Sequence, residues 1–262
     1  MKPILDEILR STRVRVDKAR KVTDVADLRT RALQRISAAR RHTFRSSIDR
    51  PDGFNIIAEF KKASPSKGVI DDLADPSATA RSYELGGARA ISVLTEPHYF
   101  KGSLDDLRLI RSTVSIPILR KDFIIDEFQI YEAAEAGADA ILLIVAALKV
   151  DELRRFRSIA EEELGLDALI EVHTVEEMEI AGEIDAKLVG VNNRNLQTFE
   201  VSLDVSRNLV RSAPAGAALV SESGLQTRDE LSELKSIGYS AFLIGESLMR
   251  TSGGILSREL LP

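Results

Sequence analysis

Two lysines and three glutamates stand where short apolar runs end, and together they are acid–base material. The first two lie in IIAEFKKASPSKG, residues 56–68, where an apolar run turns at once into Glu59, Phe60, Lys61 and Lys62. Successive side chains of a strand point to opposite faces, so Glu59 and Lys61 share one. A buried charge is costly unless paired, which makes these two poor core and good site material. The plain alternative is an ion pair closing a strand end. Lys121 ends PILRK on the face of Leu119, away from Ile118 and Arg120. Glu171 lies in ALIEV on the face of Leu169. Asn192 ends LVGVN with Arg194 just beyond, and Glu222 and Ser223 follow ALVS. Singly, Lys121 reads equally as a partner of Asp122, and Glu171 as a satisfied strand-end carboxylate. Converging on one mouth, they supply acids and bases whose environments can separate their pKa values.

Hydroxyls and glycines accompany them. Ser64 lies in the turn-rich ASPSKG, Gly224 follows the run containing Glu222, and Gly245 ends the last run. Glycine lets a backbone approach an anion closely, and loops of this kind hold phosphate on N–H groups. The expected ligand is a phosphorylated small molecule.

The elements that would position these residues recur in a rhythm. Aliphatic runs fall at 55–60, 90–95, 116–121, 140–145, 168–172, 187–192, 217–221 and 241–245. Segments of helical period separate them at 77–85, 103–112, 128–136, 150–163, 174–181, 203–211 and 228–236. Eight strand–helix units predict an α/β fold, a single (β/α)8 TIM barrel. A doubly wound sheet is the alternative, but it usually has fewer strands and a glycine fingerprint in its first turn. Gly87 and Gly137 suit helix C-caps. In a barrel the active site lies at the C-terminal ends of the strands, where the residues above fall. The fourth run, AILLIV, offers only apolar side chains there, Leu142 and Ile144. Ahead of the repeats, 4–20 reads as a helix with Ile4, Leu5, Ile8 and Leu9 on one stripe, and 24–41 as a second, followed by a polar stretch over 41–53. The expected division is 1–50 as a helical extension packed on a barrel of 51–262.

Composition narrows the classes. The 262 residues are 44% hydrophobic and carry a net charge of −5. Cysteine is absent, which excludes disulfides, thiolate nucleophiles and zinc–sulfur sites. His42, His98 and His173 have no metal-ligand spacing, and no GxGxxG or GxxxxGK[ST] occurs. No apolar run spans a membrane, and the charged N-terminus lacks a signal peptide's apolar core. A cytoplasmic protein without a metal site is expected. Residues 1–50 hold 14 Lys and Arg against 6 Asp and Glu, a net of +8, leaving −13 for the remainder. A solvated helical face, steering of an anionic substrate and a nucleic-acid arm all fit this. No aromatic residues are interleaved to stack bases, and Phe44 stands alone, so no nucleic-acid or membrane partner is expected.

At these residues the chain resembles the indole-3-glycerol-phosphate synthase family. The blocks that carry the resemblance are IIAEFKKASPSKG, SVLTEPHYFKGS, PILRKDFIID, ADAILLIVAAL, LIEVHT, GVNNRNL, SESG and FLIGESLM, in order from Ile56 to Met249. Glu246 stands where some relatives have a small residue. The resemblance implies ring closure of 1-(2-carboxyphenylamino)-1-deoxyribulose 5-phosphate with loss of carbon dioxide and water, in tryptophan biosynthesis, without cofactor or metal. It implies Lys121 as general acid on the carbonyl oxygen and Glu171 as general base or partner acid in dehydration. Lys61 would meet the substrate carboxylate and is a second proton donor. Glu59 and Asn192 would orient the lysines and bond the hydroxyls, and Glu222 would set the electrostatics. Ser64, Gly224, Gly245 and Glu246 would hold the phosphate, with Arg194 and Ser223 on the substrate side. Phe100, Phe123, Leu142 and Ile144 would form an apolar slot for the aromatic ring, although Leu142 and Ile144 read equally as barrel core. The alternative is another phosphosugar barrel such as a ribose isomerase, which would not need Glu59, Lys61, Lys121 and Glu171 together. A single-activity monomer, at most a weak dimer, is expected.

Overall fold

Eight short strands bury both faces, one against helices and one toward a common axis, as parallel strands in a closed sheet must. In the computed structural model, which describes residues 4–36 and 41–250, three helices come first: α1 (Ile4–Val22), α2 (Val25–Ile36) and α3 (Thr43–Ile48). The strands are β1 (Asn55–Phe60), a small hairpin of β2 (Ala63–Ser64) and β3 (Gly68–Val69), then β4 (Ala90–Leu94), β5 (Ile118–Lys121), β6 (Ala140–Ile144), β7 (Asp167–Val172), β8 (Leu188–Asn192), β9 (Ala218–Glu222) and β10 (Ala241–Ile244). Between and after them run α4 (Pro76–Leu85), α5 (Leu104–Thr113), α6 (Glu127–Ala136), α7 (Val150–Ser158), α8 (Val175–Glu183), α9 (Asp204–Leu209), α10 (Arg228–Ser236) and α11 (Glu246–Arg250). All but the β2–β3 hairpin close into one parallel barrel in sequence order, β10 pairing back onto β1 with Asn55 opposite Ala241. The chain has the expected (β/α)8 architecture.

Local sequence sets the boundaries. The side chains of Asp75, Ser103, Asp126, Thr174 and Thr227 accept N–H groups at the starts of α4, α5, α6, α8 and α10. Gly137 ends α6 at φ +106°, a conformation glycine adopts without strain. The seventh helix ends in a π-helical turn over Ile159–Glu163.

Two findings differ from the reading of the sequence. The second helix is described from Val25 to Ile36; of the remaining expected positions, 37–40 lie outside the described residues and Arg41 stands in a turn. The polar stretch 41–53 contains α3, whose Phe44 and Ile48 are fully buried with Ile57, Leu119, Leu169 and Val220 in the barrel interior. Phe44 therefore helps fill the barrel axis and is unavailable for stacking. Only six residues long, α3 offers too little periodicity to be recognised. Its burial depends on an apolar floor that exists only once the strands have closed.

Candidate active site

Strand alternation carries one face of each strand into the barrel, and the last inward position at the C-terminal end is polar on several strands. Glu59 projects from β1 and Lys61 from just past its end, Lys121 from β5, Glu171 from β7, Asn192 from β8 and Glu222 from β9. They line one cavity of about 710 Å³ at the mouth. Every site residue expected from the sequence borders it, the phosphate-loop and slot residues included. Phe100 and Phe123 stack at a tilt on one wall, centroids 6.0 Å apart.

At the centre is Lys121. Its Nζ donates to Glu171 Oε2 at 3.1 Å and makes a second, short bond to Glu222 Oε2. Burial disfavours the ammonium, but Glu222, Glu171 and Glu59 outweigh it and hold Lys121 protonated. The two carboxyls respond in opposite directions. Burial pushes Glu222 up to about 7, with Lys121 opposing and Glu171 assisting. Burial acts on Glu171 too, but Lys121, His173 and a hydrogen bond from Asn192 lower it below the usual range. One acid near neutrality, one persistent carboxylate and one cation thus share a pocket, the separation that acid–base catalysis needs. Lys61 is ion-paired with Glu59, so the second lysine is held in the same mouth.

Two glycines make room for these carboxylates. A Cβ at Gly190 would fall on Glu222 Oε1, and one at Gly245 on Glu59 Oε2, both far inside van der Waals contact. Gly245 was expected for its N–H; its close approach to Glu59 is a second reason for glycine there. Ser223 and Gly224 both take positive φ, +67° and +83°, where β9 turns out of the barrel. The turn is held by buried Asn193, whose side-chain N–H₂ donates to Ser221 Oγ, the Glu222 carbonyl and the Ser223 carbonyl. Ser64 sits on the β2–β3 hairpin, and Lys67 of the same hairpin pairs with Glu246 across the mouth at 3.5 Å.

Several residues of the cavity escaped the sequence reading. Ile4, Leu5 and Ile8 of α1 close one side, and the stripe they form was its signal. Behind the cavity wall, Asn193, which holds the turn after β9, had no signal of its own. Lys121 does not pair with Asp122. The side chain of Asp122 is instead held by Arg120, Arg15 and Thr95. The basic N-terminal segment is answered by barrel carboxylates: Arg13 and Arg20 meet Asp126, and Arg29 meets Glu163.

The family model for indole-3-glycerol phosphate synthase matches residues 5–255. The chain belongs to the indole-3-glycerol phosphate synthase family. It is 48% identical to the indole-3-glycerol phosphate synthase of Sulfurimonas denitrificans over 248 residues, 94% of each chain. It is 46% identical to that of Ruminiclostridium cellulolyticum over 249 residues, 95% of this chain and 94% of the other. Among solved structures, it resembles an N-acetylmannosamine-6-phosphate 2-epimerase from Clostridium perfringens at TM-score 0.60 and 15% identity, over 82% of this chain and 95% of that one. This likeness speaks only to the barrel. Membership bears out the activity expected from the sequence, that of a carboxy-lyase of tryptophan biosynthesis acting on a phosphorylated small molecule, and does not favour the isomerase alternative. Among the described residues, no helix is long and apolar enough to cross a membrane.

Proposed function

We propose that this cavity closes the indole ring of 1-(2-carboxyphenylamino)-1-deoxyribulose 5-phosphate with Lys121 as the acid and Glu171 as the base. The observation that carries this reading is the position of the Lys121 ammonium between Glu171 and Glu222, two carboxyls driven apart in pKa. Lys121 protonates the ribulose carbonyl oxygen as the aryl carbon attacks, and carbon dioxide leaves. A second proton, from Lys61 as the alternative donor, lets the hydroxyl leave as water while Glu171 takes the proton lost from the ring. Glu222 holds Lys121 between its two partners. Lys61 meets the substrate carboxylate and is the alternative donor, while Glu59 and Asn192 orient the lysines and bond the hydroxyls. Phe100, Phe123, Leu142 and Ile144 form the slot for the aromatic ring. Ser64 and the backbone of Gly224, Gly245 and Glu246 hold the phosphate, flanked by Arg194 and Ser223.

The same reading describes a cytoplasmic protein, a monomer or at most a weak dimer, needing no cofactor, with 1–50 as an extension on a barrel of 51–262. It includes no nucleic-acid or membrane partner, supported by the pairing of Arg13, Arg20 and Arg29 with acids of the barrel.

The test is indole fluorescence on mixing purified protein with the carboxyphenylamino substrate, without metal or nucleotide. A rising signal is expected, and Glu171→Gln should suppress it while substrate binding is largely retained. A flat trace from folded wild type would overturn the reading. Equal loss of binding and turnover in Glu171→Gln would recast Glu171 as a binding residue.

A further inference from the structure

His173 lies two residues beyond Glu171 at the end of β7, so the alternation that carries Leu169 and Glu171 inward carries its side chain the same way. It is held from outside the barrel. Glu177, in the first turn of α8, accepts the His173 backbone N–H at 2.6 Å and lies 3.3 Å from Nδ1. A carboxylate only accepts, so this contact places a proton on Nδ1 and leaves Nε2 to face inward. Nε2 is buried and makes no hydrogen bond. Its ionic neighbour is Glu171 Oε1, at 3.6 Å. A neutral ring protonated on Nδ1 would aim a lone pair at a carboxylate oxygen, two acceptors face to face. A proton on Nε2 removes the conflict and gives the orphaned atom a partner one small rotation away.

We infer that His173 is a positioning residue for the proton-transferring carboxylate, acting as an imidazolium that holds Glu171 through Oε1 while Lys121 engages Oε2. This rests on the proposed role of Glu171. It gives His173 a definite task. When the Lys121 ammonium turns to the substrate carbonyl, Glu171 loses its main cation in a buried site, and His173 is the charge that keeps it ionised. The groups facing His173 favour the charged ring: Glu171 on its own strand, Glu177 on α8 and Glu222 on β9. Burial opposes the charge, but the Glu177 hydrogen bond and these three acids raise the His173 pKa. Lys121 on β5, Asn192 on β8 and Glu222 on β9 face Glu171.

Two substitutions separate this role from a merely structural one. In His173→Gln the amide nitrogen falls near the place of Nε2, keeping a donor toward Glu171 but no charge. In His173→Asn it falls near Nδ1, keeping the Glu177 clasp and nothing toward Glu171. Steady-state rates across pH on the full chain should show kcat about tenfold lower in His173→Asn and less reduced in His173→Gln, with KM changed little. This is short of the ~10²–10⁴ that a direct acid or base contributes. The acid limb of kcat should move to higher pH in both, because Glu171 with one of its two cations gone binds a proton more readily. In the unmodified protein, ring-nitrogen NMR at pH 7 should find both His173 nitrogens protonated, a measurement that does not depend on the variants folding. A neutral ring, an unmoved acid limb, or a milder effect in His173→Asn than in His173→Gln would overturn the role. Failure of the two readings is distinguishable. An inactive wild type overturns the proposed chemistry and this role with it. An active wild type with an impaired Glu171→Gln and normal His173 variants overturns only the role of His173.

Discussion

Arg15 of α1 grips Asp122 through two hydrogen bonds, of 2.8 and 3.0 Å, and Asp122 directly follows Lys121. The N-terminal helix is thereby tied to the backbone that presents the central lysine. Asp122 is fully buried and is also bonded by Arg120 and Thr95. The link crosses from the segment with net positive charge to the acidic barrel.

Arg15→Met should lower stability by about 1–3 kcal/mol, since it strips one partner from a buried carboxylate that keeps others. Burial opposes the charge on Asp122, but Arg120, Arg15 and Thr95 hold its pKa well below the usual carboxylate range. A depressed pKa contributes stability that is present above the unfolded value, about 3.9, and is lost as pH falls toward the folded one. The gap between wild type and variant in urea unfolding should therefore be widest above about pH 5 and narrow below about pH 4. A pH-independent gap would assign the Arg15 effect to packing alone.

Lys121→Ala should fold and lose about 10²–10⁴ in turnover with the proposed acid gone. Near-wild-type turnover would remove Lys121 from that role. Glu171 and Glu222 would face each other without their cation and bind protons more readily. Thermal unfolding should accordingly show the variant losing stability, relative to wild type, as pH rises from 6 to 8.

Glu222 titrates near neutrality. Its pKa, pushed up to about 7, lies above the unfolded value of about 4.3. A raised pKa contributes stability that is full below the unfolded value and is lost as pH rises through the folded one. Glu222→Gln should flatten the stability profile between about pH 5 and 7. As wild-type Glu222 ionises it holds the Lys121 proton more tightly, so kcat should fall on the alkaline side of neutrality, and this limb should be absent in Glu222→Gln. Its persistence in the variant would assign the limb to another group.

Gly190→Ala places a methyl on Glu222 Oε1 and 3.2 Å from Leu169 Cδ1. Overpacking of this kind costs about 1–3 kcal/mol, and the displaced carboxylate should lower kcat with it. Adding Glu222→Asp, one methylene shorter, should recover most of the stability but not the rate. A fully active Gly190→Ala would show that the Glu222 position tolerates displacement.

Most of the site was legible because a strand's alternation is a local property. Once Leu119 is placed inward, Lys121 must follow, and Leu169 does the same for Glu171, whatever the rest of the chain does. The eight-fold recurrence of apolar runs and helical periods then determined the barrel and the end of it where these residues gather. The sequence could not determine what depends on distance between strands and helices far apart in the chain. That Lys121 lies between Glu171 and Glu222 rather than beside Asp122 follows from how the closed barrel brings β5, β7 and β9 around one axis. Gly190 reads as an unremarkable strand glycine until Glu222 of the neighbouring strand occupies the space beside it. Phe44 and Ile48 read as parts of a polar connection until a barrel floor exists to bury them. Residue type and strand parity were local and decided which side chains point inward. The partners of Lys121 are carboxylates 50 and 101 positions away, and only the closed barrel brings them to it.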